Sequence, residues 1–214
     1  MFYLERDSIK QKIFEVYRDC DIHSFPIDCI SILKHYNFRI ITYQQVKEDN
    51  SELYYAISKY SKDAFRFRMS IYYNSLNTDK RIRFSLMHEL GHYILGHTSE
   101  TLENENEADM FASNIIAPRV AIQHFDVMTA DELHDIFGLS YSASNRTLSD
   151  YKKWRQQEHG DPDYELRIWL YSPNFYRHRE ARLQNKEKEL KRSNRAWKKI
   201  NQKKCFYVSK YFKL

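Results

Sequence analysis

The sequence predicts an α+β fold: a helix-rich domain with a small sheet of about three strands, then a helical region and a basic C-terminal extension. Three observations carry this. Gly and Pro number only four each in 214 residues, so breakers are few and long flexible linkers are not expected. Apolar residues recur at helical spacing over several stretches, most clearly Arg83 to Leu95 and Glu103 to Ala117. Ahead of these, Phe65 to Asn74 alternates apolar and polar residues, as a half-covered strand does.

Taken in order, Asp7 to Cys20 reads as a helix with Ile9, Ile13, Val16 and Tyr17 as its apolar stripe. Phe25 to Asp28 forms an entry turn to a second helix, whose buried side is Cys29, Ile32, Leu33 and Tyr36. Asn37 can end that helix in a left-handed conformation. Three strands follow: Phe38 to Tyr43, Leu53 to Lys59 and Phe65 to Asn74. The last places Phe65, Phe67, Met69, Ile71 and Tyr73 on one face and Arg66, Arg68, Ser70 and Tyr72 on the other. Asn77 to Arg81 is a polar turn into the next helix.

That helix carries His88-Glu89-Leu90-Gly91-His92, an H-E-x-x-H pattern. Residues four apart share one helix face. Two imidazoles so placed can bind one zinc ion, and the adjacent Glu89 can act as general base on the water that zinc activates. Leu86, Leu90, Tyr93 and Ile94 form the opposite, apolar stripe. Gly91, without a side chain, is expected to leave room beside the metal, and Gly96 to stop the helix.

A catalytic zinc takes three protein ligands and keeps a fourth position open. The helix from Glu103 to Ala117, closed by Pro118, offers the third. Its inward face is Ala108, Phe111, Ala112, Ile115 and Ile116. Glu105 lies at the edge of that face and Glu107 well off it, so Glu105 is the better ligand. Asp109, one turn on, can accept a hydrogen bond from a ligating histidine and fix its tautomer. For the oxyanion, Tyr54, Tyr55, Tyr93 and His97 are all candidates, although His97, five residues after His92, lies off the ligand face and reads rather as a histidine behind the ligands or at the helix end.

A short helix follows Pro118. Thr129 and Glu132 then form a capping box for a helix ending near Phe137, and after Gly138-Leu139 a further helix runs from Tyr141 to about Trp154, capped by Ser140. The pair resembles a helix-turn-helix. Its second helix offers only Ser142, Ser144, Asn145 and Arg146 toward DNA, with Asp135 and Asp150 unfavourable beside phosphate, so a packing role is favoured. His159 to Asp163 is the best boundary. The expected division is a domain at 1–127 that holds the H-E-x-x-H helix, a helical segment at 128–158 and the basic extension at 159–214. In the extension, Tyr164 to Tyr171 reads as a strand and Asn174 to Asn201 as a long charged helix.

The net charge of +5 is unevenly spread. Residues 176–214 hold fourteen Lys and Arg against three acidic residues, +11, which leaves −6 on the preceding 175. Such a tail can attract nucleic acid or acidic proteins. Three widely spaced cysteines, Cys20, Cys29 and Cys205, suit reduced thiols rather than a disulfide framework. The N-terminus lacks a signal-peptide core and no apolar run approaches membrane-spanning length. A cytoplasmic location is therefore expected.

HELGHYILGH, followed by ENEADMFA and then IIAP, resembles the ImmA/IrrE family of zinc peptidases over roughly residues 10–150. The resemblance implies a zincin-like domain, Zn2+ on His88, His92 and Glu105, and Glu89 as general base. It also implies a cytosolic hydrolase and anti-repressor, cleaving a helix-turn-helix repressor that silences a mobile element or stress response. The alternative is a non-catalytic regulator, or a toxin–antitoxin-type partner, that binds a repressor or DNA through the helical segment and basic tail.

Overall fold

The computed structural model describes residues 2–156 and 164–170. Their order is α1 (Phe2–Asp19), α2 (Cys29–His35), β1 (Arg39–Thr42), α3 (Tyr43–Asp49), α4 (Ser51–Tyr60), β2 (Ala64–Phe67) and β3 (Ser70–Tyr73). Then come α5 (Asp79–Ile94), α6 (Leu102–Ile116), α7 (Arg119–His124), α8 (Ala130–Phe137), α9 (Tyr141–Gln156) and α10 (Tyr164–Leu170). This is a helix-rich α+β, zincin-like arrangement with a three-stranded mixed sheet. These elements belong to one unit, Met1–Leu170. The boundary at 159–163, the long charged helix and the aromatic C-terminus lie outside the described residues.

Several helix ends follow the expected local chemistry. Asp28 caps α2 by accepting from the Ile30 and Ser31 backbone N–H groups. Asn37 is left-handed, with φ +62°. Thr129 and Glu132 close the capping box of α8, and Gly138 is left-handed beyond it.

The sheet differs from expectation. Leu53 to Lys59 is helical, not a strand. Asn50 caps α4 by accepting from Leu53 N–H at 2.9 Å, and Tyr54 and Ile57, three apart, pack on Tyr43 and Val46 of α3. The cap and this spacing outweigh the strand propensity of Tyr and Ile. Likewise Tyr164 to Leu170 is a helix, burying Leu166 and Leu170 one turn apart. The single strand expected at 65–74 is a hairpin, with Arg68 at φ +54° in a two-residue turn. No Gly, Asn or Asp marks that turn, so it left no compositional signal.

The turn changes which residues share a face. Phe65 stands opposite Tyr72 and Arg66 opposite Ile71, and directly opposed residues point the same way. Phe65 and Tyr72 therefore stack, ring centroids 5.0 Å apart, and pack with Ile41 on the α3–α4 cluster. Arg66 shares its face with Ile71 and, through the parallel β1–β3 pairing, with Ile40. Both β2 and β3 contact α5. The strand order is β1-β3-β2, which leaves β1 and β2 at the two edges.

The main core lies between α1, α5 and α6, with Tyr17, Leu86, Met87, Leu90, Phe111 and Ile115 fully buried. The Tyr17 hydroxyl donates to the Ile115 carbonyl at 2.7 Å, so its polar tip is satisfied inside. Arg83 donates to the Ile27 carbonyl at 2.8 Å and the Phe137 carbonyl at 3.4 Å, tying α5 to the α2 entry and the end of α8.

Candidate metal centre

The centre is built by the packing of α5 on α6. Helix α5 buries Leu86, Met87, Leu90 and Gly91, which leaves His88, Glu89 and His92 half-buried on its other side. Helix α6 begins at the cap Thr101, which accepts from Asn104 N–H at 3.2 Å, and buries Ala108 and Phe111. Gly91 sits against these two residues. A methyl group there would lie 3.1 Å from Phe111 Cδ1 and 3.3 Å from the Ala108 Cα. Gly91 is therefore needed for helix–helix approach, not for space beside a metal as the sequence had implied. That approach carries Glu105, three residues before Ala108, over the histidine pair.

The donor atoms form a small triangle. His88 Nε2 and His92 Nε2 are 3.0 Å apart, and the Glu105 carboxylate oxygens lie 3.3 Å from each of them. A tetrahedral zinc with ligands near 2.0–2.1 Å spaces neighbouring donors by about 3.3 Å. The three residues present fit such an ion in number, type and spacing. Among the described residues this is the one group of three or more His, Cys, Asp or Glu able to hold a metal.

The outer ring nitrogens are also engaged. His88 Nδ1 lies 2.8 Å from Asp109 Oδ1. His92 Nδ1 lies 3.0 Å from His97 Nδ1, and His97 Nε2 lies 2.9 Å from Glu107 Oε2. Burial alone would depress the pKa of His88, but the Asp109 hydrogen bond and charge, with Glu89 and Glu105, outweigh it and raise it. His92 is pushed down to about 4, first by burial and then by the charge of His88. Its ring is neutral at neutral pH, as a metal donor must be.

Residues 34–149 match the family model of the IrrE N-terminal-like domain. The chain belongs to this metallopeptidase family. The IrrE-like match begins in α2, spans the sheet, α5 and α6, and ends within α9. Searches among curated proteins and among solved structures returned no match.

Within this IrrE-like domain, the Glu89 carboxylate lies between the histidine pair and Arg66 of β2. Burial raises its pKa, and Glu105 adds to the rise, while His88, the Arg66 charge and a hydrogen bond from the Arg66 backbone N–H oppose it. Arg66 was not foreseen at the site. Read as one continuous strand, residues 65–74 put it on the face opposite Ile71; the hairpin instead sets it on the face that meets α5. Its guanidinium lies 5.9 Å from the Tyr93 ring centroid. A charged residue on the strand before the H-E-x-x-H helix was the available signal.

The four oxyanion candidates are scattered. Tyr55 is largely exposed on α4, and Tyr54 packs on the α3–α4 cluster beneath Lys47. Tyr93 packs against Phe38 and Tyr36, and His97 bonds His92. Beside the centre, α1, α6 and α9 line a cavity of about 640 Å³ whose wall includes Asp109 and Phe84. Of the residues considered for DNA contact, Ser144 is fully buried, Arg146 lines this cavity, and Ser142 and Asn145 are exposed. Among the described residues no helix is long and apolar enough to cross a membrane.

Proposed function

We propose that the chain is a zinc-dependent endopeptidase that cleaves a helix-turn-helix transcriptional repressor and so relieves repression of a mobile element or stress response. The observation that carries the enzymatic part is the triangle of His88, His92 and Glu105 donors, with Glu89 beside it. Family membership supports peptide hydrolysis. The repressor substrate rests on the resemblance of the HELGH and ENEADMFA motifs to the ImmA/IrrE peptidases. A cytoplasmic location accords with the free thiols of Cys20 and Cys29.

In this reading His88, His92 and Glu105 hold the ion, and Asp109 orients His88. Bound zinc supplies Lewis acidity, acidifying a water and polarising the scissile carbonyl. Glu89 takes the proton of the attacking water and hands it to the departing amine. Burial raises its pKa, which makes the carboxylate a stronger base toward that water. Arg66 acts on this carboxylate through its charge and its backbone N–H, which lower the Glu89 pKa against the effect of burial. Edge strand β2 is the surface on which an extended substrate pairs.

The test pairs zinc calorimetry on metal-stripped protein with cleavage of a helix-turn-helix repressor. Wild type is expected to bind one zinc per chain and to cut. Glu89→Gln is expected to keep the zinc and lose about 10²-fold or more in rate. Full biological activity in Glu89→Gln would instead favour the non-catalytic regulator, working through the helical segment and the basic tail.

A further inference from the structure

The geometry points to His97 and Glu107 as a positioning relay that fixes His92 in the tautomer able to donate its Nε2 lone pair to a metal. The inference rests on the metal-centre reading above and extends it to two residues outside the donor triangle.

The argument is one of proton counting. Glu107, as a carboxylate, can only accept, so the contact between its Oε2 and His97 Nε2 at 2.9 Å puts a proton on that nitrogen. In a neutral His97 ring Nδ1 is then bare and accepts. The partner at 3.0 Å is His92 Nδ1, which must therefore carry the proton and donate. His92 Nε2 is left bare, and it faces His88 Nε2 at 3.0 Å and Glu105 Oε1 at 3.3 Å. Glu107 at one end thus sets the direction of both hydrogen bonds. Without it the Nδ1–Nδ1 contact could run either way, and one of the two directions would protonate the donor nitrogen.

The fold supports a built arrangement. His97 follows Gly96, which at φ +74° turns the chain back at the end of α5. The His97 side chain is 7 % exposed, against 59 % for Asp109, which serves His88. A buried imidazole with both nitrogens engaged has a defined orientation. Helix α6 supplies Glu105 to the triangle and, two and four residues on, Glu107 to His97 Nε2 and Asp109 to His88 Nδ1. The offset of Glu107 from the inward face explains why it needs His97 as an intermediary.

The experiment is zinc calorimetry on full-length, metal-stripped wild type, His97→Phe, His97→Asn and Glu107→Leu, with 15N shifts of His92 as a tautomer readout. Phe keeps the ring volume and removes the acceptor. Asn places an amide oxygen where Nδ1 stands and restores it. His97→Phe is expected to weaken zinc about ten- to a hundred-fold, and His97→Asn to recover to within a few-fold of wild type. Glu107→Leu, at a partly buried position, is expected to weaken zinc and to show His92 as a mixture of tautomers. Wild-type affinity in His97→Phe, or equal losses in the Phe and Asn variants, would overturn the relay while leaving the metal centre standing. Absence of zinc binding by the wild type would overturn the metal-centre reading and the relay with it.

Discussion

Gly91 and Phe111 meet so closely that a β-carbon on the glycine would stand 3.1 Å from Phe111 Cδ1 and 3.2 Å from its Cβ. The contact sets the spacing of α5 and α6, and with it the reach of Glu105. Gly91→Ala gains helix propensity of about 1 kcal/mol but must push on Phe111 and the Ala108 backbone. The expected result is a small change in melting temperature and a clear fall in zinc affinity. Differential scanning calorimetry and zinc titration of the same sample check it; unchanged affinity would sever the link between helix spacing and the site.

Asp109 should matter through His88 alone. Its carboxylate lies 2.8 Å from His88 Nδ1 and is exposed enough that its removal leaves the core intact. Asp109→Ala is expected to weaken zinc about ten- to a hundred-fold, and Asp109→Asn, which can still accept, less. Far-ultraviolet circular dichroism should be the same for all three proteins.

Gly138 tests a purely structural position. It is left-handed at φ +69°, and an added Cβ would lie 3.2 Å from Arg83 Nε and 3.4 Å from Pro26 Cβ. Gly138→Ala is expected to cost about 1–2 kcal/mol, read as a lower urea midpoint. Gly138→Asn should cost less, since Asn tolerates this conformation. Equal stability of all three would show that the turn relaxes freely.

Asp28 gives a pH signature. Hydrogen bonds from the Ser31 backbone, then the Ser31 hydroxyl and the Ile30 backbone, with the charge of Arg83, hold its pKa below the ordinary 3.8. A lowered folded pKa stabilises above the unfolded value, and that stabilisation disappears as pH falls through the folded one. Because the group is exposed, screening keeps the effect at about 0.3–1 kcal/mol. Wild type should therefore exceed Asp28→Asn in urea midpoint at pH 7 and lose the advantage as the pH falls below the ordinary 3.8 and through the lowered folded pKa. A constant difference across that range would assign it to something other than the charge.

What the chain determined by itself was local. The four-residue spacing of His88 and His92 puts them on one side of a helix whatever surrounds it. The Thr129–Glu132 box and the left-handed Asn37 likewise depend on neighbours in sequence. The wheel position of Glu105, at the edge of an apolar stripe, is a property of fifteen contiguous residues of α6. The tertiary structure decided the rest. Strand parity hung on a turn at Arg68 and Met69 without turn residues, and a shift in parity moves every side chain to the other face; this is how Arg66 comes to Glu89. Helix spacing hung on which groove Gly91 enters, and the pairing of His97 with His92 and Glu107 on that spacing. These relations join residues distant in sequence, and their energies arise only once the elements pack.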